Sequence, residues 1–175
     1  MVLLAAASGS GKSTTAWALL HHGLRYLSDE LAPIDLGTMS VNPFPHALCL
    51  KHEPMPPYAL PAGTLRNGAR IHVPTGSLPS PTIAAPRPLA AAFLLSYQPD
   101  LGTPQLRVLG PAEASARLYV TALNPLAHRN QGLDAMVRIA EAVPCFAVAS
   151  AGLAATCDLL LATVAQVVED RERVA

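Results

Sequence analysis

Two short stretches of this sequence carry residues whose types and spacing suit phosphate chemistry. Ser8 to Ser13 reads S-G-S-G-K-S, and the acidic pair Asp29-Glu30 begins seventeen residues after Lys12. Glycines at positions 9 and 11 permit backbone conformations that a side chain would block, so successive N–H groups can converge on phosphate oxygens. A helix beginning at the end of the loop adds the positive end of its dipole. In that setting Lys12 reaches the β- and γ-phosphates of ATP and the Ser13 hydroxyl binds Mg²⁺, while Ser8, Gly9, Ser10, Gly11 and Thr14 complete the cradle. The strict Walker A pattern G-x-x-x-x-G-K-[ST] fails at one position, where Ala6 stands in place of the first glycine. The plainer alternative is a Ser/Gly-rich turn from strand to helix.

The acidic pair is the second informative feature. A Walker B aspartate usually follows an apolar strand well downstream of the loop. The candidate strand here, "AAAFLLSYQPD", ends in Ser96-Tyr97, and Asp100 comes only after a proline. Asp29 and Glu30 instead follow the next strand in sequence, "LRYLSDE". If that strand lies directly beside the loop's own strand, Asp29 arrives at the γ-phosphate and its Mg²⁺, where a carboxylate can ligate metal or accept a hydroxyl proton. An acidic pair that merely caps a strand is the plainer alternative.

These residues need elements to hold them. "VLLAAA" is a continuous apolar run that suits a buried parallel strand. Lys12 to His22 has helical patterning, with Ala16, Leu19 and Leu20 on one face and Gly23 as C-terminal cap. "LAPIDLGTMSVNPF" predicts a hairpin turning at Leu36-Gly37. Most of the seventeen prolines fall between Pro43 and Pro88, which rules out long helices there. That insert is expected to be irregular, with short strands, in the position of a lid. Beyond it, "LAAAFLLSY", "PQLRVLG" and "CFAVAS" predict strands, and "LDAMVRIAEAV" predicts a helix. "GPAEASARLYVTALN" predicts another helix, opened by Pro111, and the chain closes with a long helix. The fold class is α/β, a mixed sheet with flanking helices, in a single domain over 1–175.

Composition narrows the partners. The chain is 51% apolar and 14% charged, which reads as globular and not disordered. Twelve basic residues balance twelve acidic ones, so no basic stripe points to nucleic acid or to an anionic membrane. The longest apolar runs stop well short of the roughly 20 residues that span a bilayer. No basic region precedes "VLLAAASG", so no signal peptide is expected. Cys49, Cys145 and Cys157 form no C-x-x-C, and reduced core thiols in a cytoplasmic protein are the expectation.

The stretch "SGSGKST…HHGLRYLSDELAPID…PFPHALCLK" resembles the HPr kinase/phosphorylase group and its relatives, whose nucleotide-binding core is shared with phosphoenolpyruvate carboxykinases. The resemblance covers the loop, the helix ending in His22-Gly23, the strand with its acidic pair and the P-x-P-x-x-x-x-L-K segment, about the first third of the chain. It implies an ATP- and Mg²⁺-dependent kinase acting on a serine of a small protein or peptide. Lys12 and Ser13 then hold ATP and magnesium, Asp29 is the general base, Glu30 supports the metal, and Lys51 touches phosphate or substrate. Two family features have no counterpart in this sequence, the catalytic histidine upstream of the loop and the preceding sensor domain. The resemblance therefore implies the kinase reaction and leaves the phosphorylase one open, and a sheet missing its first strand would favour a homo-oligomer or poor stability.

The remaining polar residues are less specific. His21 and His22 end a helix, where a protonated ring suits the dipole. His46, His52 and His72 have no metal spacing; His46 and His52 lie near enough to Lys51 to approach the site, and a surface position is expected for both. Arg66, Arg70, Arg87 and Arg129 are candidates for stabilising transferred charge, and Asn124 or Arg129 for facing substrate. Three rival functions stay open. These are a small-metabolite kinase, an ATP-binding regulatory module without transfer, and a plain ATPase.

Overall fold

The first apolar run forms β1 (Val2–Ala5), and the Gly/Ser loop after it leads into α1 (Lys12–His21). The helix ends as its glycine demands. Gly23 has φ +89°, its N–H donates to the Leu20 carbonyl, and the Leu24 N–H donates to the Leu19 carbonyl. This pair of bonds is the Schellman motif, which satisfies carbonyls a helix end otherwise leaves bare. The hairpin forms from β2 (Ile34–Asp35) and β3 (Ser40–Val41), and Asp35 Oδ1 accepts from the amides of Gly37 (2.7 Å) and Thr38 (3.1 Å). These bonds tighten the turn and, first through Thr38 and then Gly37, hold the Asp35 carboxyl below its ordinary range. The insert contains β4 (Leu48–Leu50), β5 (Leu65–Asn67), β6 (Arg70–Val73) and β7 (Arg87–Pro88), and no α-helix. Then follow β8 (Ala91–Tyr97), β9 (Gln105–Leu109), α2 (Pro111–Thr121), α3 (Leu133–Ala142), β10 (Cys145–Ser150) and α4 (Leu153–Val174). This computed structural model describes residues 1–174.

The main sheet runs β1-β8-β10-β9, with the first three strands parallel and β9 antiparallel to β10. It is a mixed sheet with helices on both faces. Along β8, Ala91, Phe93 and Leu95 point to one apolar cluster and Ala92 and Leu94 to the other. All five are buried, the continuous apolar signature of a strand covered on both sides. One cluster is closed by Trp17 and Leu20 of α1 and Cys157 and Leu160 of α4, the other by Leu118 of α2 and Ile139 of α3. Among the described residues, no helix is long and apolar enough to cross a membrane.

Two three-stranded antiparallel sheets, β2-β3-β7 and β4-β6-β5, complete the fold. The second belongs to the insert and is not free to swing. Leu48, Leu50, Ile71 and Val73 are buried with Trp17 in one cluster, and the Trp17 indole N–H donates to the Tyr58 carbonyl at 3.0 Å.

One expectation is corrected. "LRYLSDE" does not form a strand of the main sheet, in which β1 is the edge strand and pairs with β8. The segment runs extended and makes isolated bridges, Tyr26 to Thr82 and Ser28 to Phe44. Of its residues, Tyr26, Leu27 and Asp29 are buried, and only the first two are apolar. β8 offers five consecutive buried apolar positions, so burial on both faces favours β8 for the central place.

Candidate functional site

The loop between β1 and α1 turns on two glycines. Gly9 and Gly11 have φ +88° and +81°, conformations that strain any residue with a Cβ. A Cβ built on either would meet no atom within 4 Å, so the space in front of the loop is open. The amide of Ser10 closes a turn onto the Ala7 carbonyl at 3.2 Å. The N-terminus of α1 begins at Gly11 with no side-chain cap and no acidic residue in its first turn, so no residue of the helix itself caps its orphan N–H groups. Thr14 is half-buried in that turn, and Ser8 and Gly9 are exposed.

Asp29 comes to this helix end from the extended arm. Its side chain is buried, and Oδ1 accepts from Lys12 Nζ at 2.9 Å. The Ser13 hydroxyl lies 3.2 and 3.3 Å from the two carboxylate oxygens, and the Cys49 amide donates to Oδ2 at 3.2 Å. A buried carboxylate needs this degree of pairing, since an unpaired one would cost several kcal/mol. Lys12 is 27% exposed, so the ammonium spans the boundary between protein and solvent. Lys51 Nζ donates to Ser8 Oγ at 3.0 Å and places a second cation at the loop.

The structure thus brings Lys12, Ser13 and Asp29 into one cluster and sets Lys51 against Ser8. Glu30 is not drawn in. It is exposed at φ +66°. Among the described residues, no three His, Cys, Asp or Glu side chains converge as a metal-ligand set. The exposed Arg66 pairs with Glu53 at 3.0 Å, Arg70 and Arg87 are exposed, and the side chain of Arg129 lies outside the described residues. His52 is exposed as expected.

Two contributors had no clear signal in the sequence. Cys49 is half-buried beside the site and not in the core with Cys145 and Cys157. Its role is played by a backbone amide, which no residue type announces. Burial, then the charges of Glu30 and Asp29, push its thiol pKa up, so the protonated thiol faces His72 Nδ1 at 3.1 Å across the β4–β6 pair. His46 is not a surface side chain. It is half-buried, with Nε2 2.7 Å from the Asp29 carbonyl oxygen. Only its nearness in sequence to Lys51 hinted at proximity.

The residues fit a phosphate chain with a hard cation. Open space lies before two left-handed glycines, an uncapped helix end and two ammonium groups supply donors, and a hydroxyl and a carboxylate supply the oxygen ligands Mg²⁺ prefers. Against models of protein families, against curated proteins and against solved structures, nothing matches this chain.

Proposed function

We propose that this chain is an ATP- and Mg²⁺-dependent kinase with a P-loop core of the HPr kinase type, transferring a phosphoryl group to the serine hydroxyl of a small protein or peptide in a cytoplasmic setting. One observation carries the reading, the Asp29 carboxylate seated on Lys12 Nζ and Ser13 Oγ at the uncapped start of α1. The loop amides, Lys12 and Lys51 would hold the phosphates, and Ser13 and Asp29 the Mg²⁺. Bound nucleotide supplies the γ-phosphoryl group and the metal neutralises its charge.

The chain's own residues then have distinct tasks. An anion in the loop competes with Asp29 for the same ammonium and hydroxyl, so its arrival draws Lys12 off the carboxylate. With one carboxylate oxygen toward the metal, Asp29 would accept on the other the proton of the acceptor hydroxyl as that oxygen bonds to phosphorus and the bridging oxygen leaves with ADP. The glycine loop's donors are fixed before the charge shifts onto the leaving oxygen, which is where such donors help most.

The test is transfer from radiolabelled ATP to serine peptides, with small alcohols as the alternative acceptors. Asp29→Asn should keep ATP affinity within a few-fold while transfer falls at least about 10³-fold, and Lys12→Ala should lose both. Wild-type transfer by Asp29→Asn would remove the base assignment, and transfer only to small alcohols would make this a metabolite kinase. A second reading, an ATP-binding regulatory module, is favoured by the full engagement of Asp29 by Lys12, Ser13 and the Cys49 amide. Tight ATP binding with no transfer to any acceptor selects it.

A further inference from the structure

The chain turns sharply just where it presents Asp29. The Leu31 N–H donates to the Asp29 carbonyl at 2.8 Å, closing a three-residue turn around Glu30 at φ +66°. A γ-turn with positive φ at its centre is the rare and strained hand, and glutamate has no side-chain feature that eases it. Such a conformation persists only where surrounding contacts over-determine it. Here the contacts converge from the insert. The ring of His46 stands between two carbonyls, with Nε2 2.7 Å from Asp29 O and Nδ1 2.9 Å from Ala47 O. His46 is itself fixed: its carbonyl accepts from the buried Tyr26 hydroxyl at 2.9 Å, and the Phe44 ring meets its ring edge-on at 5.7 Å. The Ser28 hydroxyl closes the other side of the turn by donating to the Leu31 carbonyl.

We infer that His46 is a positioning residue for Asp29, an imidazole strut that holds the strained turn shut and so keeps the carboxylate on Lys12 and Ser13. The inference rests on the proposed kinase reading for its catalytic meaning, but the strut itself does not. Without the ring, the turn relaxes toward an ordinary negative φ at Glu30. The Asp29 side chain then loses its aim, because its Cα is bonded directly to the carbonyl carbon whose direction changes. The His46 ring hydrogen-bonds neither the loop nor the lysines, and its partner next to the cluster is the Asp29 carbonyl.

The two lysines of the chain, Lys12 and Lys51, provide a readout independent of catalysis. In competitive acetylation followed by peptide mass spectrometry, His46→Phe should raise the reaction rate of Lys12 about 10-fold, because its ammonium loses a fixed carboxylate partner. Lys51 serves as internal reference and should be unchanged, and His46→Gln, which restores a donor toward the carbonyl, should return Lys12 toward the wild-type rate. An unchanged Lys12, or equal rises at both lysines, overturns the inference. In the unaltered protein, a scalar coupling across the hydrogen bond between the His46 ring nitrogen and the Asp29 carbonyl carbon should be measurable by NMR, and its absence overturns the strut without any variant. With an active kinase, His46→Phe should lower kcat about 10- to 100-fold with the ATP KM within about twofold. If the wild-type protein transfers no phosphate at all, the kinase reading falls while acetylation still decides the strut.

Discussion

β8 and the arm from Leu24 to Leu31 both run toward the loop that opens α1, yet they are held in opposite ways. β8 is buried on two faces along five consecutive residues and is paired by β1 and β10. The arm buries Tyr26 in one cluster and Leu27 in the other, and makes only isolated bridges. Its fixity comes from polar contacts instead: Ser80 Oγ to the Leu24 carbonyl at 2.5 Å, the Ile83 amide to the Tyr26 carbonyl at 2.8 Å, and Tyr26 Oη to the His46 carbonyl at 2.9 Å. Burial decides which segment becomes the sheet. Directional bonds decide where a segment outside the sheet can aim a charged side chain.

The largest effect should come from the first of these. Phe93 is fully buried and stacks on Phe146 with ring centroids 5.2 Å apart. Phe93→Ala should cost about 3–5 kcal/mol, seen as a fall in Tm of roughly 6–20 °C. A loss under about 1 kcal/mol in urea unfolding would mean that β8 is not the element on which the fold depends.

The second effect should be smaller and should fall on the arm. Tyr26→Phe keeps the buried ring and removes only the hydroxyl bonded to the His46 carbonyl. Burial, reinforced by the charge of Asp29, holds that hydroxyl's pKa well above the usual phenol range, so it is a donor at every working pH. Its loss leaves a half-buried carbonyl without its partner, at about 1–2 kcal/mol, and should raise Lys12 acetylation less than His46→Phe does. If Tyr26→Phe lowered stability as much as Phe93→Ala, the contrast between the two segments would collapse.

The same contrast explains what could be read from the residues alone. β1, the glycine loop, α1 with its Gly23 cap, the β2–β3 hairpin and the helices at Pro111 and Leu133 are specified by neighbours in sequence, through periodicity, φ requirements and caps. The α/β class follows from them. That Lys12, Ser13 and Asp29 share a site was legible as chemistry, since a cation, a hydroxyl and a carboxylate have reason to meet. The route was not legible. Five buried apolar residues suit β8 to the interior of the sheet, while the arm, with two, stays outside it and is held by isolated bridges to Phe44 and Thr82. Nor were the Cys49 amide and the strut at His46, because each acts on or through a backbone group that carries no signature of its own. Glu30 was expected at the metal from the family resemblance, and its positive φ is a property of the turn and not of glutamate.

The smallest effect tests whether an ion cluster without burial can rival either kind of support. Glu113 accepts from Arg107 at 2.7 and 2.9 Å and from Arg117 at 3.0 Å. The Arg107 hydrogen bonds first, with help from Arg117, hold its pKa down to about 2. The group is open to solvent, where screening and side-chain entropy cancel most of the attraction. A depressed carboxylate pKa stabilises the fold above the unfolded value, near 4.5, and the contribution fades as pH falls toward about 2. Glu113→Gln should therefore lower Tm by at most about 2 °C at pH 7, and the difference should shrink steadily as melts are repeated from pH 5 downward. A shift at pH 7 larger than that of Tyr26→Phe would mean that three exposed charges bind α2 to β9 more firmly than a half-buried hydroxyl binds the arm, and the ranking of burial over surface charge in this molecule would have to be reversed.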